Sequence, residues 1–573
     1  MNSNVKAPWI GSLGNLPHHL EYPECSMVAM IEESARKYPD YSAMVFFGKK
    51  TSYRQMVEQI NICARALRSI GIKKGDRVTV ALPNCPQGVL MFYAINMIGA
   101  QASMIHPLSS EKEIEFFIND SGSVAAITLD QFYGKFASIR DNTCIRELIV
   151  TSIKDAVGPL VRIGYDLTEG RKHDKVPSDA PVIMWKDLMS RGTAYTGDYR
   201  DETDSREAAV ILYSGGTTGV SKGILLSNYN FNAVSTQTVN VNPMYRPGDR
   251  MLAVMPIFHG FGLGISIHTA LCNAGTCVLV PRFTPQSYAK LMLKYECNFI
   301  AGVPSLFEAL IRMPKMEKAD LSFLKGVFSG GDSLSIELKK KMDTFLKDHN
   351  ASIAIREGYG ATECVTASCL TPIHESREGS IGLPMPDMYY KIVAPGTEDE
   401  VEYGEVGEIC LAGPTVMMGY LGHEEETRNT LRTHGDGLTW VHTGDLGTMD
   451  EDGFVYFKQR LKRMIVSNGY NIYPSQLENV FDAHDMVHMS CVIGVPDPIK
   501  KEKVKAFIML KPGVEAGQDT RDILMEYARK NIAKYALPYD IEFRDELPKT
   551  LVGKVAYRKL EEEELGKIAA DGQ

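Results

Sequence analysis

The chain is 573 residues long, which exceeds one typical domain, so several compact units are expected. Its composition, 44% hydrophobic and 23% charged, excludes a disordered or fibrous protein. A net charge of -9 excludes a general attraction for nucleic acid, so the expected partners are small molecules.

The cysteine pattern and the N-terminal sequence predict the cellular compartment of the protein. The 11 cysteines include no CxxC pairs and no histidines at zinc-ligand spacing, which predicts buried, reduced thiols. The first residues lack a secretory signal, and the apolar stretch 89–105 is too interrupted to span a membrane. We therefore expect a cytoplasmic protein without a transmembrane segment, and peripheral membrane contact stays open.

Helical and strand patterns alternate from about Ser26 to Pro281. Apolar residues at three- and four-residue spacing predict helices over 26–39 and 52–72. Short apolar runs over 76–84 and 124–130 predict buried strands. This alternation predicts an α/β fold with largely parallel sheets.

Later segments differ in character. The stretch from Lys154 to Asp204, rich in Gly, Lys, Asp and Pro, predicts an extended surface excursion. A second α/β block covers roughly 249–382, and a glycine-rich β block follows it. From Leu461, two strand patterns and a helix pattern predict a small α+β unit. A boundary near Lys462 gives domains 1–461 and 462–573.

A glycine-rich loop lies between two apolar runs in LYSGGTTGVSKGILLSN, residues 212–228. Its backbone N–H groups, hydroxyls and Lys222 could cradle a polyphosphate. It is not a Walker A loop, because Lys222 follows Ser221 and precedes Gly223. Taken alone, a flexible turn explains the loop equally well.

Four further motifs follow in order: EGYGATE (357–363), HTGDLG (442–447), KQRLKRMIVSNGYNIYP (458–474) and LPKTLVGKVAYRKL (547–560). With the loop, they resemble the signature motifs of the adenylate-forming (ANL) superfamily, over nearly the whole chain. The likeness is greatest to fatty-acid and 4-coumarate-type CoA ligases. It implies an α/β fold whose large N-terminal domain has two α/β layered subdomains and a distorted β-barrel, followed by a small mobile α+β C-terminal domain.

The resemblance implies an ATP site. Tyr359 would stack on the purine, Asp445 and Arg460 would bind the ribose, and Lys462 would be the hinge. The ATP-site residues are Ser214, Gly215, Gly216, Thr217, Thr218 and Gly219 in the loop, Gly330, Gly331 and Asp332 in FSGGDSLS, Glu357, Gly358, Tyr359 and Gly360 in EGYGATE, and Asp445, Arg460, Lys462 and Gly469. Small residues are common at the position of Asp332, and a proline commonly stands where this chain has Ser221.

The resemblance also implies the catalytic residues Lys554, Thr362, Glu363, His259 and Lys222. Lys554 would bridge the carboxylate and the α-phosphate, and Glu363 would bind Mg²⁺, with Thr218 contributing through the phosphates. His259 would lie at the acyl entrance beside apolar residues. The carboxylate and ATP are both anions, so their negative charge must be neutralised as they react. Lysines, Mg²⁺ and N–H groups can do this, and no protein nucleophile is required.

The predicted reaction forms acyl-AMP and pyrophosphate from a carboxylic acid and ATP, and then transfers the acyl group to coenzyme A. For the second step the C-terminal domain would rotate and bring Ser467 to Asn471 to the thiol path. A medium- or long-chain fatty acid is expected. The alternatives are an aryl, arylpropenoic or bile-type acid, a carrier-protein acceptor, and a nucleotide-binding regulator without turnover. The protein is expected to be a monomer or homodimer.

Overall fold

The computed structural model describes residues 5–167, 175–214, 221–467, 470–498, 500–549 and 555–571. The helices in this part of the chain are α1 (Met27–Lys37), α2 (Tyr53–Ser69), α3 (Pro86–Met97), α4 (Glu111–Ser121), α5 (Tyr133–Ile139), α6 (Pro159–Leu167), α7 (Trp185–Ala194), α8 (Asn228–Asn240), α9 (Ala270–Cys272), α10 (Pro285–Tyr295), α11 (Pro304–Ile311), α12 (Ile336–Asp348), α13 (Glu424–Thr430), α14 (Pro474–Asp482), α15 (Gln518–Asn531) and α16 (Tyr557–Asp571).

Many of the strands are wholly or mostly buried, as expected of strands covered on both faces. They are β1 (Ser42–Phe46), β2 (Lys49–Ser52), β3 (Arg77–Ala81), β4 (Gln101–Met104), β5 (Ala125–Leu129), β6 (Glu147–Thr151), β7 (Ile183–Met184), β8 (Ala208–Ser214), β9 (Lys222–Ser227), β10 (Arg250–Ala253), β11 (Thr276–Leu279), β12 (Phe299–Gly302), β13 (Gly326–Ser329), β14 (Ile355–Tyr359), β15 (Cys369–Leu370), β16 (Leu383–Pro384), β17 (Tyr389–Val393), β18 (Gly407–Ala412), β19 (Gly419–Tyr420), β20 (Leu431–Thr433), β21 (Thr439–Met449), β22 (Val455–Arg460), β23 (Ile465–Ser467), β24 (Tyr470–Ile472), β25 (Val487–Asp497), β26 (Lys501–Leu510) and β27 (Asp540–Phe543).

Two mixed, largely parallel sheets form the α/β part, as the alternating pattern predicts. One has the order β16-β15-β14-β13-β12-β10-β11-β1-β2, and the other β19-β9-β8-β4-β3-β5-β6-β7. Capping boxes at Ser52, Ser110 and Ser227 begin α2, α4 and α8. Helix α3 is buried along its whole length, and its apolar residues belong to a core cluster with strands of both sheets. Loops at the carboxyl ends of β12, β13 and β14 therefore open on one side, where α/β folds bind ligands.

The glycine-rich β block corrects one expectation. It forms a five-stranded antiparallel sheet in the order β17-β18-β21-β20, with β22 also on β21. The eleven-residue β21 is long enough for β20 to pair near its start and β22 near its end. Within the described residues β17 pairs with neither β20 nor β22, so the expected distorted β-barrel is wrong: the sheet is open.

The C-terminal part has a five-stranded sheet of its own, ordered β24-β23-β26-β25 with β27 on β26. A separate apolar cluster packs this sheet against α14 and α15 and includes Phe481, Leu524 and Ile541. The turn Leu461–Arg463 joins it to β22 of the preceding sheet. The predicted small α+β unit is therefore present.

The segment from Lys154 to Asp204 is less of a surface excursion than its composition suggests. Within it, α7 packs on α2 so closely that a Cβ atom on Gly192 would lie 2.1 Å from the carbonyl oxygen of Ile62. Residues 168–174 lie outside the described part. All eleven cysteines are free thiols and nine of them are buried, as expected. None of the described helices has the length and apolar character needed to cross a bilayer.

Candidate active site

A cavity of about 1400 Å³ lies between the two α/β sheets' carboxyl-end loops and the C-terminal part. It brings together most of the residues that the motifs single out. Its lining includes Lys222, His259, Gly330, Gly331, Asp332, Glu357, Gly358, Tyr359, Gly360, Thr362, Glu363, Asp445, Arg460 and Lys462. Residues more than two hundred positions apart in the sequence, such as Lys222 and Lys462, thus line the same cavity.

Other predicted residues fall outside what the structure describes. They are Gly215, Gly216, Thr217, Thr218, Gly219, Gly469 and Lys554. Ser214 ends β8 and pairs with Lys222 of β9, but its side chain is not described. Lys549 and Val555, which flank the undescribed residues 550–554, bridge to each other and line the cavity.

Asp445 is the centre of a polar group on the cavity wall. The antiparallel register of β21 and β22 sets it opposite Arg460, whose Nε lies 2.8 Å from Oδ1 of Asp445. The hydroxyl of Tyr359 donates to Oδ2 at 2.6 Å. Burial disfavours the charged form of Arg460 and acts to lower its pKa. The nearby carboxylate of Asp445 acts in the opposite direction, and the pKa of Arg460 lies above its usual value. Burial raises the pKa of Tyr359, which therefore stays a neutral donor.

This arrangement fits hydroxyl recognition. Asp445 is 2% exposed, so its carboxylate is fixed rather than solvated. A carboxylate has about four acceptor positions, so each of its oxygens can accept more than one hydrogen bond. The group can therefore accept hydrogen bonds from two neighbouring sugar hydroxyls while Tyr359 offers an aromatic face.

Glu363 and Lys222 form a second polar group. Oε1 of Glu363 accepts a hydrogen bond from the hydroxyl of Tyr420 at 2.8 Å. Nζ of Lys222 lies 3.6 Å from Oε1 of Glu426 and 5.2 Å from the centre of the Tyr420 ring. A carboxylate and an ammonium group that both contact Tyr420 suit a metal-phosphate ligand, because a hard oxygen binds Mg²⁺ and a cation binds phosphate.

The loop after β13 is held by a buried acid. Oε1 of Glu357 accepts from the backbone N–H of Leu334 at 2.9 Å, so this carboxyl supports the loop carrying Gly330, Gly331 and Asp332. Burial raises the pKa of Glu357 to about 8. A Cβ on Gly330 would lie 3.2 Å from the carbonyl oxygen of Gly358, so the two strand ends approach closely.

His259 lies where a tight backbone contact shapes the cavity. Its Nδ1 accepts from the N–H of Phe261, which begins a π-helical stretch, Phe261–Thr269. A Cβ on Gly260 would lie 1.6 Å from the carbonyl oxygen of Val365, so only glycine fits there. π-helical segments often occur at functional sites. The cavity lining also includes apolar residues, namely Phe261, Ile265, Val303, Phe328, Leu370 and Met385.

Lys462 lies at the junction of the two parts. It is the middle residue of the turn Leu461–Arg463, directly after β22. The next residue, Arg463, is anchored in the C-terminal part by its ion pair with Glu478 and by the ring of Tyr557, 4.9 Å from its guanidinium carbon. Lys462 thus stands between a fixed strand and a fixed arginine.

Sequence reasoning missed several supporting residues. Tyr420 holds Glu363, and Glu408 holds the turn before Asp445: its Oε1 accepts from the N–H of Gly444 at 2.9 Å, while Oε2 lies 3.0 Å from Nδ1 of His442. Neither has a spacing signal, because each partner is more than thirty residues away. Glu408, Cys410 and His442 also form a buried group with metal-binding side chains, and hydrogen bonds already use all three of them.

Comparisons with known proteins find relatives over nearly the whole chain. Residues 31–421 match the family model described as AMP-binding enzyme, and residues 476–554 match the AMP-binding enzyme C-terminal domain. The chain is 34% identical to the long-chain-fatty-acid--CoA ligase of Bacillus subtilis, covering 97% of this chain and 98% of that protein. It is 32% identical to the long-chain-fatty-acid--CoA ligase of Salmonella typhimurium, with 95% of each covered.

Solved structures share the fold. An ATP-bound RpMatB-BxBclM chimera superposes with a TM-score of 0.82 at 25% identity, covering 94% of this chain and 99% of that one. The anthranilate CoA ligase AuaEII in complex with anthranoyl-AMP has a TM-score of 0.81 at 24% identity, with 96% and 98% covered.

Proposed function

Because the chain belongs to the family of AMP-binding enzymes, we propose that it is an AMP-forming acyl-CoA synthetase that acts on long-chain fatty acids. One observation carries this proposal. The cavity that is lined by Asp445, Arg460 and Tyr359 is also lined by Glu363 and Lys222. The first three suit a nucleoside, and the other two suit its metal-bound phosphates.

In the first half-reaction, a carboxylate oxygen attacks the α-phosphorus of ATP and pyrophosphate leaves. Asp445 and Arg460 hold the ribose and Tyr359 stacks on the purine, which fixes the α-phosphorus in the cavity. Lys222 lies where its ammonium group can neutralise phosphate charge. Mg²⁺ fits beside Glu363, whose carboxylate lines the cavity, and would supply further charge neutralisation.

Lys554 is proposed as the cation that meets both the attacking carboxylate and the α-phosphate. Support comes from its neighbours, since Lys549 and Val555 line the cavity on either side of the undescribed residues. A Lys554 held at the cavity would suit adenylation rather than thioester formation. We place the domain boundary and the hinge at Lys462, where the connecting turn lies between anchored elements.

In the second half-reaction, the thiol of coenzyme A loses its proton, its sulfur attacks the acyl carbonyl, and AMP leaves. The small domain, residues 462–573, turns about Lys462 to remove Lys554 and to bring 467–471 to the cavity. The apolar residues that line the cavity with His259, among them Phe261 and Ile265, take the acyl chain. Cytoplasmic location and a monomer or homodimer belong to the same proposal.

Acid-dependent exchange of pyrophosphate into ATP tests this function. The panel comprises palmitate, octanoate, benzoate, cinnamate and cholate, and we expect palmitate to give the highest kcat/KM. Exchange with only the aryl or bile-type acids would show that those acids, and not a fatty acid, are the substrates. Silence with every acid would overturn the enzymatic proposal in favour of a nucleotide-binding regulator.

The acceptor is tested separately. Purified acyl-AMP is offered to the enzyme with free coenzyme A or with a holo acyl carrier protein, and thioester formation is measured. We expect rapid product with coenzyme A. Product with the carrier protein alone would make the chain an acyl-AMP ligase for carrier loading.

A further inference from the structure

Lys222 has a carboxylate neighbour that the proposed reaction does not use. Its Nζ atom lies 3.6 Å from Oε1 of Glu426, and the Lys222 side chain is only 14% exposed. The backbone N–H of Glu426 and the nearby ammonium group of Lys222 lower the pKa of the Glu426 carboxyl, which is therefore charged at neutral pH. The ammonium group proposed to meet phosphate thus faces a negative charge that belongs to the protein.

Backbone pairing, and not only the ion pair, places Glu426 beside Lys222. Strand β19 pairs with β9, the strand that begins at Lys222, and this pairing sets Tyr420 opposite Ile224. The hydroxyl of Thr427 accepts a hydrogen bond from the N–H of Tyr420 at 2.9 Å, which ties α13 to β19. Because Glu426 lies on α13, its carboxylate stays near the lysine even when the ion pair opens.

A histidine joins Glu426 to a second acid. Nδ1 of His423 lies 3.6 Å from Oε1 of Glu426, and Nε2 of His423 lies 3.9 Å from Oδ1 of Asp120. Oδ2 of Asp120 accepts a hydrogen bond from the hydroxyl of Tyr213 at 2.9 Å. Tyr213 and Lys222 stand on the two sides of the glycine-rich loop, so this chain of polar side chains connects both ends of the loop.

A carboxylate near Lys222 competes with phosphate for the same cation. A lysine ammonium group has three N–H donors, and its hydrogen bonds to phosphate are strong because both partners are charged. A second anion within 3.6 Å of that ammonium group offsets part of its charge and repels the phosphate. The carboxylate therefore weakens the binding of ATP and of pyrophosphate, and weaker binding of pyrophosphate means faster release.

We infer that Glu426 is a counter-ion that weakens the contact of Lys222 with phosphate and speeds the release of pyrophosphate. This inference rests on the proposed contact between Lys222 and the phosphates of ATP. Glu426 is a positioning residue, since it acts through Lys222 and not on the reacting atoms. Its effect is modest, because the Glu426 side chain is 40% exposed and ion pairs that water reaches are weak.

Glu426→Gln tests the inference, because it removes the charge and keeps the size of the side chain. Titration calorimetry gives the Kd for ATP and for pyrophosphate, and a coupled assay gives the rate of pyrophosphate release during turnover. We expect both Kd values to fall about threefold and pyrophosphate release to slow. A variant that only damaged the structure would raise the two Kd values, so the direction of the change separates the two explanations.

Glu425→Gln is the matched control. It makes the same change of charge one residue away, at an exposed carboxylate that has no ion pair in the described part of the chain. At about 0.15 M salt, where distant charges are screened, it should leave both Kd values unchanged. In a Lys222→Ala background, Glu426→Gln should no longer lower either Kd, because the counter-ion acts through the lysine.

Three results would overturn the inference: unchanged Kd values in Glu426→Gln, an equal fall in Glu425→Gln, or an undiminished effect without Lys222. Failure of the wild type to bind ATP would instead overturn the proposed nucleotide site, and the inference with it.

Discussion

The hydroxyl of Tyr420 donates a hydrogen bond to Oε1 of Glu363, with the two oxygens 2.8 Å apart. The pairing of β19 with β9 fixes Tyr420 opposite Ile224, two residues beyond Lys222. Burial raises the pKa of Tyr420, which keeps its proton available. One tyrosine therefore orients the carboxylate proposed to meet Mg²⁺ and lies beside the lysine proposed to meet phosphate.

Tyr420→Phe should slow adenylation while keeping the ring beside Lys222. Losing a hydrogen bond to a charged group costs about 1.5 to 3 kcal/mol, or at least tenfold in rate. We expect a kcat/KM for pyrophosphate exchange about tenfold lower and a higher Mg²⁺ concentration for half-maximal rate. Tyr403→Phe, at a 42% exposed tyrosine, serves as control. An unchanged Mg²⁺ dependence would show that Tyr420 does not orient Glu363.

Asp445→Asn should weaken recognition of the ribose. The amide keeps one acceptor oxygen and brings a donor toward Arg460 and Tyr359. We expect the KM for ATP to rise about tenfold and the preference for ATP over 3′-deoxy-ATP to collapse, measured by pyrophosphate exchange. If the KM rises but this preference survives, Asp445 acts on structure rather than on the sugar hydroxyls.

The sequence predicts the α/β class, the C-terminal unit and the residues that share the cavity, because each depends on local pattern or on motifs. It fails where long-range pairing decides the result. The open sheet follows from β21 serving both β20 and β22, which no local pattern in the chain encodes. Likewise, Tyr420 and Glu408 act through partners brought close only by folding.

The buried acid Glu357 predicts a pH dependence of stability. Its folded pKa of about 8 exceeds the ordinary value of 4.5, so the folded protein holds a proton that the unfolded chain has released. This group's contribution to the free energy of unfolding therefore falls as pH rises from about 5 to 8. The thermal midpoint of Glu357→Gln, minus that of the wild type, should increase over this range. A constant difference would mean that Glu357 does not titrate on unfolding.

Lys554→Ala should separate the two half-reactions. Removing the cation proposed for the α-phosphate should abolish pyrophosphate exchange, because the two anions then meet without it. Thioester formation from supplied acyl-AMP should stay largely intact. Lys559→Ala, at an exposed lysine in the same motif, should affect neither reaction. Equal loss of both half-reactions in Lys554→Ala would refute the division of labour.

The defining step of the proposed reaction is the attack of the acid's own oxygen on the α-phosphorus of ATP. The direct measurement uses palmitate labelled with oxygen-18 in its carboxylate, together with ATP and coenzyme A, and mass analysis of the nucleotide product. Acyl-AMP formation predicts AMP that carries one labelled oxygen, palmitoyl-CoA that keeps the other labelled oxygen in its carbonyl group, and unlabelled pyrophosphate. Product AMP without label, or ADP in its place, would contradict the account.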